Sequence, residues 1–162
     1  MLLQSGTKWE KVGDNMLIGE YHHNIDEKGR LIIPAKFRDE IGSSFVVTRG
    51  LDGCLFVYSL VEWEKIVNKL KKLPFTKKDA RTFTRFFLAS ATLSEFDKQG
   101  RINLLNSLTL YAGIKKECVV IGVNDRLEIW ALDKYNSLME ENLDKLDMIS
   151  ENLFDGDLDN EA

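Results

Sequence analysis

Asp26-Glu27-Lys28-Gly29-Arg30, followed by Leu31-Ile32-Ile33-Pro34, returns as Asp97-Lys98-Gln99-Gly100-Arg101, followed by Ile102-Asn103-Leu104-Leu105. Further along, Gly42 answers to Gly113, Val46-Val47 to Val119-Val120, Leu55–Tyr58 to Leu127–Trp130, and Trp63 to Tyr135. The offset drifts only from 71 to 73 residues, so the loops differ while the elements match. A unit of about 45 residues is duplicated within the chain.

Within the first copy, Tyr21–Ile25 has strand character and Asp26–Gly29 supplies a turn, with Asp for an Asx-type closure and Gly for a positive φ. Arg30–Ile33 is the returning strand. Pro34 suits the first turn of a short helix, Ala35–Glu40, because its missing N–H would be unpaired there anyway; Gly42 ends that helix. Phe45–Thr48 and Cys54–Tyr58 are two strands around the turn 49–53. Such a unit cannot bury its apolar face alone, but two copies can do so by interleaving strands into one small barrel.

Between the copies, Leu60, Trp63, Ile66, Val67 and Leu70 fall at helical spacing with lysines opposite, and Pro74 stops that helix. Phe83, Phe86, Phe87 and Ala91 mark a second helix, and their spacing reads as core rather than as a base-stacking platform. Both helices are expected outside the barrel, free to pack against another subunit. The second copy ends on a helix, Asp133–Asp147, and has Leu105 where the first has Pro34. The segments are therefore 1–15, an N-terminal extension; 20–62, the first repeat; 63–90, a basic helical linker; 91–134, the second repeat; 135–149, a C-terminal helix; and 150–162, an acidic disordered tail.

The 162 residues suffice for one domain or two halves sharing a core. No apolar run approaches a membrane span, and Met1-Leu2-Leu3 is too short for a secretory signal, so a cytoplasmic protein with no membrane partner is expected. Cys54 and Cys118 are too isolated for a disulfide framework and read as buried thiols. The net charge of −4 conceals an asymmetry. Residues 139–162 carry nine carboxylates against Lys145 alone, a net of −8, which leaves +4 on the preceding 138 residues. Residues 65–85 hold eight bases and one acid, Asp79. An acidic tail on a basic body suits a chain that meets polyanions, and equally suits a solvated helix end.

Enzymatic chemistry finds little support. His22 and His23 are adjacent in a strand and point to opposite faces, so they cannot jointly hold a metal. No catalytic triad, phosphate-binding glycine loop or metal-ligand cluster is present in the sequence, and neither a cofactor nor a small-molecule substrate is expected. Asp26 and Asp97 can be imagined as a carboxylate pair across the pseudo-twofold. Each has an arginine four residues on, however, which favours the ionised form over acid–base work. The D-x-x-G-R segments carry two compatible readings. In one, Asp26 and Asp97, with Gly29 and Gly100, lock the hairpin corners through their own arginines. In the other, Arg30 and Arg101 project from rigid turns towards DNA, with Lys28 and Lys98 adding phosphate contacts.

The stretches "GEYHHNIDEKGRLIIPAKFRDEIGSSFVVTRGLDGCLFVYSLVEW" and "SATLSEFDKQGRINLLNSLTLYAGIKKECVVIGVNDRLEIW" closely resemble the MraZ family, transcriptional regulators of the bacterial division and cell-wall gene cluster built from two SpoVT-AbrB domains. The resemblance runs from Met16 to about Asp147. It implies a β-rich α+β fold in which two SpoVT-AbrB repeats form one swapped-hairpin, double-psi-like barrel with flanking helices. It also implies a nucleoid-associated, ring-like homo-oligomer that binds G-rich direct repeats in double-stranded promoter DNA and represses its own operon. The family's signature residues map onto Asp26, Gly29 and Arg30, and onto Asp97, Gly100 and Arg101. An antitoxin-like module whose main partner is another protein is the competing class; such proteins usually have one copy plus a toxin-binding tail.

Residues 1–15 precede the resemblance and are expected to be translated operator DNA. With Ser5-Gly6-Thr7 as AGT-GGG-ACN, Lys8-Trp9-Glu10 as AAG-TGG-GAR and Lys11–Asp14 as AAR-GTG-GGN-GAY, the string GTGGG begins at nucleotides 14, 24 and 34. The spacing is about one turn of B-DNA. Gly13-Asp14 can be encoded as GGAGAT, a ribosome-binding stretch ahead of a start at Met16.

Overall fold

A computed structural model describes residues 16–161, with side chains to Asp155; the N-terminal extension, residues 1–15, lies outside the described residues. The first repeat contributes β1 (Leu17–Asn24), β2 (Arg30–Ile32), α1 (Ala35–Ile41), β3 (Ser44–Arg49) and β4 (Leu55–Ser59). The linker forms α2 (Leu60–Lys71) and α3 (Lys78–Ala89). The second repeat supplies β5 (Thr92–Glu95), β6 (Arg101–Asn103), α4 (Asn106–Ala112), β7 (Glu117–Asn124) and β8 (Leu127–Ala131). Two helices follow, α5 (Leu132–Leu143) and α6 (Leu146–Glu161). The chain divides into two compact units between Leu132 and Asp133. No helix among the described residues is long and apolar enough to cross a membrane.

The duplication is realised as exchange. In an antiparallel sheet ordered β1-β7-β8-β4-β3-β5, β1 of the first repeat pairs along its whole length with β7 of the second, from Leu17↔Asn124 to Asn24↔Glu117. β5 of the second repeat pairs reciprocally with β3 of the first. The short strands β2 and β6 form their own two-stranded ribbon, with Leu31 opposite Ile102. The expected barrel is corrected here: the ladder is an open six-stranded sheet plus that ribbon, with β1 and β5 as free edges. The side chains achieve what backbone closure does not. Leu31 and Ile102 of the ribbon, with Ile33 just past β2, join Phe45, Val57, Leu127 and Ile129 of the sheet in one core cluster, capped by Phe37 and Ile41 of α1 and Leu108 and Ala112 of α4. Burial of a large aliphatic side chain stabilises by about 1.5–3 kcal/mol.

The expected short helices form, and leucine replaces proline without consequence. Pro34 (φ −63°, ψ 150°) and Leu105 (φ −65°, ψ 147°) hold the same extended geometry just ahead of their helices. The Pro34 carbonyl accepts from the N–H groups of Phe37 and Arg38, and that of Leu105 from Leu108 and Thr109. Gly42 N–H closes α1 onto the Arg38 carbonyl at 2.9 Å.

The linker helices are not free outer elements. β4 is buried on both faces, so Phe56 and Tyr58 point away from the core and need cover. Phe87 supplies it, 4% exposed, lying edge-on to both rings and stacked on Trp63 at 5.7 Å. Thr48 Oγ1 donates to the Phe87 carbonyl at 2.7 Å, and the Arg49 guanidinium donates to the Phe86 carbonyl while lying over its ring. Of the Phe83–Phe87 stripe, Phe87 is buried as its spacing predicts, whereas Phe83 stays exposed.

The C-terminal region departs from expectation twice. The single helix expected over Asp133–Asp147 is broken between Leu143 and Leu146, and the tail read as disordered over 150–162 is helical to Glu161. Residues 146–155 contain neither glycine nor proline, and Leu146, Ile149 and Leu153 recur at helical spacing; that periodicity carries the helix past the acidic composition.

Candidate nucleic-acid interface

The two D-x-x-G-R turns have the same internal structure. Asp26 Oδ1 accepts the backbone N–H groups of Lys28 and Arg30, both at 2.9 Å, and Oδ2 accepts Arg30 Nε at 2.7 Å. Asp97 Oδ1 accepts those of Gln99 and Arg101 at 2.9 Å, and Oδ2 accepts Arg101 Nε at 2.7 Å. Backbone bonds close each loop, from Asp26 N–H to the Arg30 carbonyl and from Asp97 N–H to that of Arg101. Two further bonds staple the turns to one another's repeat: Leu104 N–H donates to the Gly29 carbonyl and Ile33 N–H to that of Gly100.

The ribbon decides where the arginines point. Side chains alternate along a strand, and Leu31 and Ile102 are fully buried. Arg30, Ile32, Arg101 and Asn103 therefore share the opposite, outer face. The arrangement brings the two turns together: Arg101 Nη1 approaches Asp26 Oδ2 at 3.8 Å. The pair is not symmetric. Arg30 keeps 33% of its side chain exposed and bonds its own Asp26, whereas Arg101, 20% exposed, lies between two carboxylates. Lys28 and Lys98 are both exposed but not equivalent, since Lys28 matches Gln99 and Lys98 matches Glu27.

No carboxylate pair forms for acid–base chemistry, because each aspartate is committed to its own arginine. The hydrogen bond from the Arg30 backbone N–H holds Asp26 below the usual carboxylate range despite desolvation, and the Arg101 N–H does the same for Asp97. A depressed carboxyl pKa contributes stability that is present above the unfolded value, about 3.9, and lost as pH falls through the folded one. Acid titration followed by NMR is expected to show both carboxyls titrating below that value, with the turn amides shifting together. Titration at or above the usual range would remove the lock.

The turn glycines are fixed by space as well as by φ. Gly29 (φ +80°) leaves 2.8 Å between an added Cβ and the Leu104 carbonyl oxygen, a backbone atom of the residue whose N–H makes the stapling bond. At Gly100 (φ +75°) the Cβ would meet the Arg38 guanidinium, a side chain that can swing away. Gly29→Ala is expected to cost about 2–3 kcal/mol and Gly100→Ala about 1–2, read from urea denaturation midpoints. Equal costs would refute the distinction.

Arg38 is the cation the sequence reading missed. It sits on α1 beside Gly100, in the turn of the other repeat, and its Nε is buried without a hydrogen-bond partner among the described residues. Its counterpart at an offset of 71 is Thr109, so the duplication itself concealed it. Lys115 is a second addition: with Lys28, Gly29, Asn106 and Thr109 it lines a depression beside the first turn.

Other candidates lead elsewhere. His22 Nε2 lies 2.6 Å from Glu20 Oε2 and His23 stacks on Tyr21, on opposite faces of β1 as expected. Cys54 and Cys118 are buried and unpaired; burial pushes the Cys118 thiol up to about 11 and that of Cys54 higher still. Among the described residues no group of three or more histidine, cysteine, aspartate or glutamate side chains could hold a metal ion.

Comparison with known proteins places these turns in context. The family model described as "MraZ protein, putative antitoxin-like" matches twice, over residues 16–86 and 87–156, one match per repeat. The transcriptional regulators MraZ of Ligilactobacillus salivarius and Lactobacillus gasseri are each 56% identical over 143 residues, 88% of this chain and all of theirs. That of Limosilactobacillus reuteri is 55% identical over 138 residues, 85% of this chain and 97% of its own. These relatives are named as regulators of transcription, not as enzymes. With both halves matched in tandem and more than half the residues identical along nearly the full length of such relatives, the chain belongs to the MraZ family.

Proposed function

We propose that the protein is a sequence-specific DNA-binding regulator that acts in the cytoplasm at the nucleoid and represses its own division and cell-wall operon. In this reading a ring-like homo-oligomer of swapped-hairpin repeats reads G-rich direct repeats in double-stranded DNA. The observation that carries it is the outer face of the β2–β6 ribbon, where two aspartate-locked turns present Arg30 and Arg101 side by side. The Arg30 guanidinium is held through Nε alone, which leaves its terminal amino groups for a ligand, and that planar fork matches guanine O6 and N7 or phosphate oxygens; Arg101 has one terminal amino group turned to Asp26. Lys28 and Lys98 add phosphate contacts that set register rather than sequence. Arg38 and Lys115 extend the positive surface around the turns.

The "antitoxin-like" part of the family description favours a second reading, a module whose main partner is a protein. A duplex carrying three GTGGG repeats ten base pairs apart separates the two. Binding to it, lost with a scrambled duplex of equal composition and weakened as salt rises, supports the regulator. Equal affinity for both duplexes would sink it.

A further inference from the structure

The depression beside the first turn is built from both repeats. Lys28 and Gly29 of that turn line it together with Asn106 and Thr109 of α4 and Lys115 of the α4–β7 connection, around a volume of about 390 Å³. Both lysines and Asn106 are exposed, and among the described residues neither ammonium has a hydrogen-bond or ion-pair partner. Lys28 spends only its backbone N–H on the turn, donating it to Asp26 Oδ1. Thr109 Oγ1 donates to the Asn106 carbonyl at 3.0 Å, so it forms wall rather than donor. Of the two acids on the rim, Asp26 is committed to Arg30, which leaves Glu27 against two lysines. The duplication does not repeat this set. At the offset of 71, Lys28, Asn106, Thr109 and Lys115 answer to Gln99, Ala35, Arg38 and Ser44. Beside the second turn the Arg38 guanidinium lies against Gly100, where the first turn has the short side chain of Thr109 near Gly29.

We propose that this depression takes one phosphate of the DNA backbone, held by the Lys28 and Lys115 ammonium groups and the Asn106 amide. This rests on the DNA-binding reading above and adds a contact to it. Position names the occupant as much as charge does. Lys28 is two residues from Arg30, so their Cα atoms are at most about 7 Å apart. The major groove is about 12 Å wide, so an arginine at base edges on its floor has a row of phosphates about half that width away on either side. A depression at Lys28 lies at that distance from the bases Arg30 would read. Ammonium and amide donors suit phosphate oxygens without reading a base, so the contact sets register and not sequence. Because the second turn carries a different set, the two grips on the backbone are not related by the pseudo-twofold. Each copy then has a direction along the duplex, as successive copies on a direct repeat must.

The full-length double variant Lys28→Ala/Lys115→Ala tests it, with circular dichroism and urea denaturation to confirm the fold. Affinity for the duplex of three GTGGG repeats and for its scrambled counterpart is expected to fall about tenfold or more alike, with the slope of log affinity against log salt reduced by about one for each copy engaged. Replacing single phosphates of the middle repeat by neutral methylphosphonates locates the contact. One position should weaken the unmodified protein severalfold and leave the double variant unaffected, because the partner of that phosphate is already gone. Unchanged affinity and salt slope in the double variant, or a continued loss at the same phosphate, would overturn the site. A variant that loses only the preference for the repeat over the scrambled duplex would make these lysines base readers and overturn it too. If the unmodified protein does not prefer the repeat, the regulator reading falls by itself, and the salt slope on either duplex still decides the depression. Should the double variant fail to fold, Lys115→Gln takes its place, judged by the same phosphate.

Discussion

Arg30→Ala should lose specific DNA binding while keeping its fold and its self-association. The turn does not depend on that side chain, since Asp26 Oδ1 still accepts the backbone N–H groups of Lys28 and residue 30. What disappears is a planar donor at the outer face of the ribbon, worth about 1–3 kcal/mol where it meets a guanine in bidentate fashion. Several copies engaging adjacent repeats multiply the loss, so a fall of about a hundredfold or more in apparent affinity is expected. Arg30→Lys should recover little, because an ammonium offers a point charge and no fork. Arg101→Ala is expected to behave differently. It removes the cation between Asp97 and Asp26, so part of its effect should appear as a lower unfolding midpoint. Fluorescence anisotropy on a labelled operator duplex, paired with urea denaturation, separates the two. If Arg30→Ala bound with unchanged affinity, Arg30 would be part of the turn and nothing more.

The contrast between these arginines shows where sequence reading reaches and where it stops. The repeated D-x-x-G-R segment is legible because turn chemistry is local: an Asx closure, a positive φ and an arginine four residues on are all properties of five consecutive residues. The exchange of strands between repeats is legible too, since neither copy can bury Leu31 or Ile102 alone. Closure is not. Whether β1 meets β5 depends on accumulated sheet twist, which periodicity does not encode, and the sheet stays open. The linker helices illustrate a different limit. Their apolar spacing is plain, but that β4 buries both its faces, and so draws Phe87 onto Phe56 and Tyr58, emerges only from the packing. Arg38 was invisible for a third reason. Its partner turn lies in the other repeat, 62 residues away at Gly100, and its own repeat counterpart is a threonine. Past Leu146 composition and spacing disagree: the acidic content suggests disorder, whereas Leu146, Ile149 and Leu153 recur at helical spacing and the backbone is helical there.

Moving one GTGGG repeat by half a helical turn is expected to cost more affinity than mutating any base outside the repeats. Arg30 is presented from a hydrogen-bonded ribbon, which cannot stretch to follow a displaced site. Adjacent copies of a closed assembly can therefore engage together only repeats that share a face of the duplex, a spacing of about ten base pairs or a multiple. Inserting five base pairs between the second and third repeats turns the third to the far side, and its contribution through effective concentration is lost. Apparent affinity should fall about ten- to a hundredfold, and inserting ten base pairs should restore much of it. The gene offers the substrate: the codons of Ser5 to Asp14 are expected to read AGT for Ser5, TGG for Trp9 and GTG for Val12, placing GTGGG at nucleotides 14, 24 and 34. A different codon at Ser5 or Val12 would break that array, and the phasing test would then use a synthetic one. Insertions of five and ten base pairs with the same effect would mean that the copies bind independently, and the cooperative reading of direct repeats would fail even if each repeat were still recognised.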